Sequence, residues 1–207
     1  MLEYCQYGSL QTISSYTKPY DEPTAFVVFN QICQALLQVH ERKVLHLDIK
    51  ESNILINFNV GNQLKPECGR LPIEFKLADW GVSIDMKDQN TLNKVNPVYH
   101  RGTPRYMAPE QVTQKPVEDP YKVEVYSLGI ILFKMIFKTF PFNQDQKVAA
   151  VQQKNPNFLS EFVKSSKNIY NVNPSTELLD LLKNMLCPLN RKRFSLKYVV
   201  DHKWCTI

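Results

Sequence analysis

Apolar residues recur at intervals of three and four in three segments of the chain, and this spacing predicts three helices. The first runs from Pro23 to Glu41, the second from Val123 to Phe137, and the third from Thr176 to Leu186. The apolar stripes of the first two are wide, as in helices that are buried over much of their circumference. We therefore expect a mostly helical body with these segments in its core.

Three short segments have the composition or the alternation of β-strands. The runs Val44 to Ile49 and Asn53 to Ile56 are rich in β-branched residues, and Ile73 to Leu77 alternates apolar with charged residues. Residues 57–72 contain several Asn, Gly and Pro, so the last two runs predict a hairpin with a long loop. Residues 83–101 are polar and have no period, which predicts a loop without secondary structure.

Composition agrees with one folded domain over residues 1–207, of class α+β and predominantly helical. The chain has 207 residues, 43% of them hydrophobic, and a formal net charge of +5. These values exclude a disordered or fibrous protein and identify no partner by charge alone. No internal repeat or low-complexity tract divides the chain.

Cysteine spacing and apolar run length narrow the class further. The five cysteines include no CxxC pair, so we expect no zinc site and reduced thiols in the cytoplasm, with the nucleus as an open alternative. The longest apolar run, Leu128 to Phe137, is interrupted by Lys134 and is too short for a membrane span. The basic cluster 191–193 has no interleaved aromatic residues, so we expect neither a membrane nor a nucleic-acid partner.

Three polar motifs stand between apolar segments, in a fixed order along the chain. Residues 46–53 read HLDIKESN, residues 79–81 read DWG after the second predicted strand of the hairpin, and residues 108–110 read APE at the end of the polar loop. Each triplet alone is weak, since a single Asp or Asn is more often a turn or cap residue. In combination they resemble the catalytic loop, the metal-binding DxG motif and the APE motif of eukaryotic protein kinases of the Ser/Thr type.

The resemblance extends over the whole chain and implies the carboxyl-terminal lobe of a kinase domain. Residues 1–10 resemble the hinge between the two lobes, 46–53 the catalytic loop, and 79–110 the activation segment. The predicted hairpin would then carry the catalytic and metal-binding loops.

The family's catalytic roles are implied for three residues. Asp48 would accept or orient the proton of the substrate hydroxyl, and Lys50 would steady the transferring phosphate. Thr103 resembles the threonine of the substrate-docking loop that contacts both of them. Lys50 and Thr103 are typical of Ser/Thr kinases, so the implied reaction transfers the γ-phosphoryl group of ATP to Ser or Thr of a protein substrate.

The resemblance also implies ATP and Mg²⁺ as cofactors. Asn53 and Asp79 would supply oxygen ligands to Mg²⁺ and so contact the nucleotide. The backbone from Glu3 to Cys5 would meet the adenine edge, and Leu55 would form the floor of its pocket. Outside this site, Glu110 and Arg193 resemble the family's buried ion pair, which would be costly to break singly.

Two departures from the family pattern leave an alternative open. The glycine-rich phosphate loop, the strand lysine and its glutamate partner precede the hinge in the family, and this chain begins at the hinge. We expect a separate or missing amino-terminal lobe, and weak ATP binding and activity for the 207 residues alone. Leu47 replaces an arginine that pairs with activation-loop phosphate in many kinases. The alternative is therefore a catalytically inactive, pseudokinase-like protein-binding module.

Overall fold

A computed structural model describes residues 4–58, 73–88, 98–143, 155, 157–165 and 167–205. In these ranges the helices are α1 (Leu10–Tyr16), α2 (Glu22–Glu41), α3 (Pro109–Thr113), α4 (Lys122–Phe137), α5 (Phe158–Lys164), α6 (Thr176–Met185) and α7 (Leu196–Val200). The strands are β1 (Val44–Leu45), β2 (Ile54–Phe58), β3 (Ile73–Leu77) and β4 (Ile84–Asp85). The described part of the chain is thus largely helical, as the sequence predicts, with two small sheets, of which the sequence predicts only the hairpin.

Helix α4 is the centre of the core. Every side chain from Val123 to Phe137 is buried except that of Lys134. Helices α2 and α6 pack against α4, and each presents one apolar face to it. All three helices predicted from apolar periodicity are confirmed to within one residue at each end. None of the helices in the described ranges is both long and apolar enough to cross a bilayer.

Glu22 ties two distant parts of the chain to the start of α2. Its carboxylate accepts hydrogen bonds from the backbone N–H and the hydroxyl of Ser175, both at 2.6 Å, and from the indole N–H of Trp204 at 2.7 Å. Ser175 is also the N-cap of α6. A carboxylate in the first turn of α2 interacts favourably with the helix dipole, so one side chain serves both helices.

The predicted hairpin is present as the antiparallel pair of β2 and β3. Its register pairs Ile54 with Leu77 and Phe58 with Ile73. The residues just outside the first pair, Asn53 and Ala78, are joined by a backbone hydrogen bond of 2.9 Å. The hairpin therefore brings the end of segment 46–53 next to the start of segment 79–81.

The second sheet differs from the sequence prediction. Only Val44 and Leu45 of the predicted strand Val44 to Ile49 form a strand, and they pair with Ile84 and Asp85 inside the predicted loop. Leu47 has a φ of +65°, a left-handed conformation that ends the strand. Such a backbone change leaves no mark in the apolar pattern.

The amino-terminal segment lies along β2 and then turns into a helix. Ile56 donates its N–H to the carbonyl of Gly8 at 2.9 Å. Helix α1 then begins at Leu10, with Ser9 as its N-cap, so the end of the predicted hinge 1–10 is helical. The polar sequence of α1 gave no helical stripe.

Glu110 and Arg193 form the expected buried ion pair. The guanidinium donates from Nη1 to Oε1 at 2.7 Å and from Nη2 to Oε2 at 2.9 Å, and both side chains are almost fully buried. Asn190 adds a hydrogen bond to Oε1 at 2.9 Å. The pair joins α3 to the turn before α7.

We predict that Arg193→Met lowers the free energy of unfolding by about 3–5 kcal/mol, because it leaves the Glu110 carboxylate buried without a counter-charge. The double variant Glu110→Gln/Arg193→Met should recover at least about 1 kcal/mol of this loss. Urea denaturation followed by circular dichroism measures both. The exposed substitution Lys197→Met is the control, and equal stability of Arg193→Met and this control would contradict the prediction.

Candidate active site

A buried carboxylate of α4 holds the backbone of segment 46–53 in place. Glu124 accepts the backbone N–H of Leu47 at its Oε1, with a distance of 2.6 Å, and its Oε2 lies 2.6 Å from Nε2 of His40. Glu124 is 1% exposed. This contact fixes the left-handed turn at Leu47 and so determines where the next residue, Asp48, is placed.

His46 has a structural position at the site. Its Nε2 lies 3.0 Å from the carbonyl of Ala78, and its Nδ1 accepts the backbone N–H of Asp48 at 3.3 Å. Trp80 packs on the imidazole with ring centroids 4.5 Å apart. His46 thus links Asp48 to the DWG segment through its ring.

The carboxylate of Asp48 is at the centre of a group of hydrogen-bond donors. Its Oδ2 accepts from Lys50 Nζ at 2.7 Å and from Asn53 Nδ2 at 3.0 Å. Its Oδ1 accepts from the hydroxyl of Thr103 at 2.7 Å. Lys50 also donates to Thr103 Oγ1 at 2.9 Å, which closes the arrangement. The structure therefore brings together all three residues for which the sequence suggests catalytic roles.

These contacts hold Asp48 in its ionised form. Partial burial raises the pKa of the carboxyl group, but the hydrogen bonds from Lys50, Thr103 and Asn53 and the charge of Lys50 lower it by more. The net pKa is below the usual value of an aspartate. A charged acceptor is therefore present here at neutral pH.

Gly102 allows Thr103 to reach Asp48. Its φ is +102°, and a Cβ built on it would lie 2.1 Å from the carbonyl oxygen of Leu47. Any other residue would force these two backbone segments apart. This close approach joins segment 98–103 to segment 46–53.

Asn53 and Asp79 offer the oxygen atoms suited to Mg²⁺. Asn53 uses Nδ2 to bond the carbonyl and carboxylate of Asp48, which leaves its Oδ1 with only a long contact of 3.4 Å from Ser52. Asp79 has an exposed side chain and a left-handed φ of +66°. Its Oδ1 accepts the N–H of Gly81 at 3.4 Å. Mg²⁺ commonly takes few protein ligands and completes its shell with phosphate and water, so this donor set fits it.

No cluster of three or more His, Cys, Asp or Glu side chains that could hold a metal occurs within the described ranges.

The residues predicted to contact adenine are less fully described. Leu55 is half-buried in β2 and bridges to Ser9, and Cys5 is half-buried in the segment that precedes α1. Glu3 lies outside the described residues. The structure thus places Leu55 beside the chain segment that the sequence assigns to the hinge.

Sequence reasoning missed a second polar group beside Asp48. Glu51, 3% exposed at its side chain, forms an ion pair with Lys134 and accepts the hydroxyl of Tyr106 at 3.2 Å. Lys134 also donates to the Tyr106 oxygen at 2.8 Å. One feature of the sequence pointed to this group, because Lys134 interrupts an otherwise apolar helix.

Comparisons with known proteins identify the family of this chain. The family model for the protein kinase domain matches residues 1–205. The chain belongs to this family. It is 28% identical to the serine/threonine-protein kinase DCLK3 of Mus musculus over 99% of its own length and 23% of that protein. It is 29% identical to an Aurora kinase of Yarrowia lipolytica over 99% of its length and 47% of that protein.

Solved structures show the same fold. The Rad53 kinase domain, crystallised with SCD2 and AMPPNP, superposes with a TM-score of 0.69 at 19% identity, over 99% of this chain and 68% of that one. The chain thus spans less than half the length of the two curated relatives and about two thirds of this structure.

We predict that Lys50→Met raises the pKa of Asp48, because it removes one hydrogen bond and the neighbouring positive charge. A carboxyl group whose pKa is lower in the folded than in the unfolded state stabilises the protein at pH values above the unfolded-state pKa. This contribution to the free energy of unfolding is lost as the pH falls through the folded-state pKa. In Lys50→Met that contribution is smaller. Titration of the Asp48 carboxyl carbon by NMR measures the change, with Lys197→Met as control. An Asp48 pKa equal in all three proteins would contradict the prediction.

Proposed function

We propose that this chain is the carboxyl-terminal lobe of a protein serine/threonine kinase that transfers the γ-phosphoryl group of ATP to hydroxyl groups of proteins. The observation that carries the proposal is the arrangement of Lys50, Asn53 and Thr103 around the ionised carboxylate of Asp48. A low pKa makes Asp48 a weak base. Its role is therefore to accept a hydrogen bond from the substrate hydroxyl and to orient it towards the phosphate.

Lys50 and Thr103 complete the acceptor side of the site. Lys50 Nζ is 2.7 Å from Asp48, so a phosphate oxygen approaching the substrate hydroxyl would meet its positive charge. Thr103 donates to Asp48 Oδ1 and leaves the other oxygen to Lys50 and Asn53. Both residue types are typical of kinases that act on Ser and Thr, which supports that acceptor class.

Asn53 and Asp79 would hold Mg²⁺. ATP would lie with its phosphates near these two residues and its adenine near Leu55 and the backbone at Cys5. When bound, Mg²⁺ neutralises charge on the phosphates of the nucleotide. The residues of this chain hold the nucleotide and the acceptor in line. An amino-terminal lobe carrying the glycine-rich loop and its lysine completes the nucleotide site, and without it we expect weak ATP binding.

A pseudokinase-like binding module is the second candidate function. Leu47 favours it, because this side chain is 6% exposed within the core, where an arginine would couple the site to loop phosphorylation. The presence of the residues to which the kinase resemblance gives catalytic and metal-binding roles favours the enzyme instead. These residues are Asp48, Lys50, Asn53 and Asp79. In either case we propose a cytoplasmic or nuclear protein with a protein partner and no nucleic acid or membrane partner.

A phosphoryl-transfer assay separates these two functions. The chain is fused to an amino-terminal kinase lobe and assayed with labelled ATP and a mixed Ser/Thr protein substrate. We expect Asp48→Asn and Asp79→Asn each to lower kcat by about 100-fold or more, because one loses the acceptor of the substrate proton and the other a metal ligand.

Asp201→Asn is the matched control, since this exposed carboxylate pairs with Lys197 on α7. Its kcat should equal that of the parent. Equal phosphate incorporation by the parent, Asp48→Asn and Asp79→Asn would contradict the kinase reaction and favour the binding module.

A further inference from the structure

Two positive charges lie around one aromatic ring next to the proposed acceptor site. The guanidinium carbon of Arg105 is 3.5 Å from the ring centroid of Phe140, and Nζ of Lys134 is 4.3 Å from the same centroid. Tyr106 packs edge-on against Phe140 at 5.4 Å. We call Glu51, Arg105, Tyr106, Lys134 and Phe140 the Arg105 cluster.

The only carboxylate in this cluster is already neutralised. Glu51 is buried, and its Oε2 is occupied by the ammonium group of Lys134 and the hydroxyl of Tyr106. Burial, followed by the charge of Glu51, raises the pKa of Tyr106, so its hydroxyl remains a donor to that carboxylate. Because the Glu51 side chain is only 3% exposed and its Oε2 already pairs with Lys134, it is poorly accessible to a basic residue of a substrate.

Arg105 carries the positive charge of the cluster that no carboxylate of the described residues neutralises. Its side chain is exposed, and no carboxylate pairs with it in the part of the chain that the structure describes. Stacking on Phe140 limits the motion of the guanidinium, so a ligand meets a group that is already ordered. A planar guanidinium in this state is suited to bind a carboxylate through two parallel hydrogen bonds.

A third cation lies close to the cluster. Lys138 donates to the carbonyl of Ser14 at 3.0 Å, and partial burial lowers its pKa, with Glu51 and Lys134 both near enough to act on it. The two carboxylates near these cations are both paired, Glu51 with Lys134 and Asp48 with Lys50. We therefore expect the exposed guanidinium of Arg105 to favour anions.

The cluster lies within reach of a peptide bound at Asp48. Arg105 follows Thr103 by two residues, so their Cα atoms are at most about 7.6 Å apart. Thr103 touches the Asp48 carboxylate, and Tyr106 is close enough for the charge of Asp48 to act on its hydroxyl. An extended chain advances about 3.3 Å per residue, so positions a few residues from the acceptor hydroxyl would meet Arg105.

We infer that Arg105, supported by Lys134 and Phe140, selects protein substrates with acidic residues next to the acceptor Ser or Thr, an inference that rests on the proposed kinase function. Carboxylate side chains and phosphorylated residues both carry the required negative charge on oxygen acceptors. The carboxylate group is planar and the phosphate group is tetrahedral. Basic flanking residues are disfavoured, because the exposed positive charge of Arg105 repels them.

Peptide binding to the 207-residue chain tests this inference without phosphoryl transfer. Four fluorescent peptides of equal length carry a central Ser flanked by Glu, by phosphoserine, by Gln or by Lys, and anisotropy gives the dissociation constants. We expect the Glu peptide to bind at least about fivefold more tightly than the Gln peptide, and the Lys peptide to bind least. Comparison of the Glu and phosphoserine peptides identifies which anion the site prefers.

Variants assign the preference to Arg105. Arg105→Glu should abolish or reverse the advantage of the Glu peptide, and Arg105→Gln, which is less disruptive, should reduce it to about twofold or less. Lys192→Glu is the matched control, because it makes the same change in net charge in the exposed turn before α7. It should keep the parent ratio. Circular dichroism checks that each variant is folded.

Equal affinity for the Glu and Lys peptides would overturn the inference. An equal loss of preference in Arg105→Glu and Lys192→Glu would also overturn it, since the effect would then come from net charge alone. Neither outcome bears on whether Asp48 supports phosphoryl transfer. Conversely, failure of the Asp48→Asn comparison would remove the kinase reaction and leave the measured peptide ratio unchanged.

Discussion

The site depends on one buried carboxylate, that of Glu124 in α4. A carboxylate 1% exposed must be fully hydrogen-bonded to be tolerated, and it binds the N–H of Leu47 and the ring of His40 at 2.6 Å each. These contacts connect the central helix to α2 and to the left-handed turn at Leu47. The position of Asp48 follows, because the next residue has no freedom once that turn is fixed. Gly102 then packs against the carbonyl of Leu47, which brings the last donor, Thr103, to the carboxylate of Asp48.

Charge pairing divides the molecule into a structural and a reactive part. Glu110 with Arg193 and Glu51 with Lys134 are ion pairs of nearly buried carboxylates, each joining segments about eighty residues apart or more. Such pairs contribute little net stability but are costly to break singly, so they restrict how the segments can pack. The Asp48 and Lys50 pair is different, because both side chains are partly exposed to solvent and a ligand can reach them. Among the residues that the structure describes, Arg105 has no such partner, so its charge is available to a ligand.

Sequence reasoning identified what depends on local pattern. The periodicity of α2, α4 and α6 gave their bounds, and the hairpin followed from alternation and turn residues. The family motifs named Asp48, Lys50, Asn53 and Thr103, which the structure brings into contact, whereas Asp79 reaches the site through its backbone neighbour Ala78. The missed features are long-range or conformational. Helix α1 has a polar sequence, the turn at Leu47 depends on Glu124, and the partner of Glu51 lies 83 residues later in the chain.

The same donors that order the acceptor side also restrict what Asp48 can do. Three hydrogen bonds and a lysine charge favour its ionised form, so it cannot hold a proton early in a reaction at neutral pH. Phosphoryl transfer through a loose transition state does not require early protonation of the carboxylate. The proton of the acceptor hydroxyl becomes acidic only when the hydroxyl oxygen is forming its bond to phosphorus. A weakly basic carboxylate in a fixed position is then sufficient. The arrangement around Asp48 is therefore suited to orientation of an acceptor more than to strong base catalysis, and a neighbouring Arg105 that orders the substrate chain would act towards the same end.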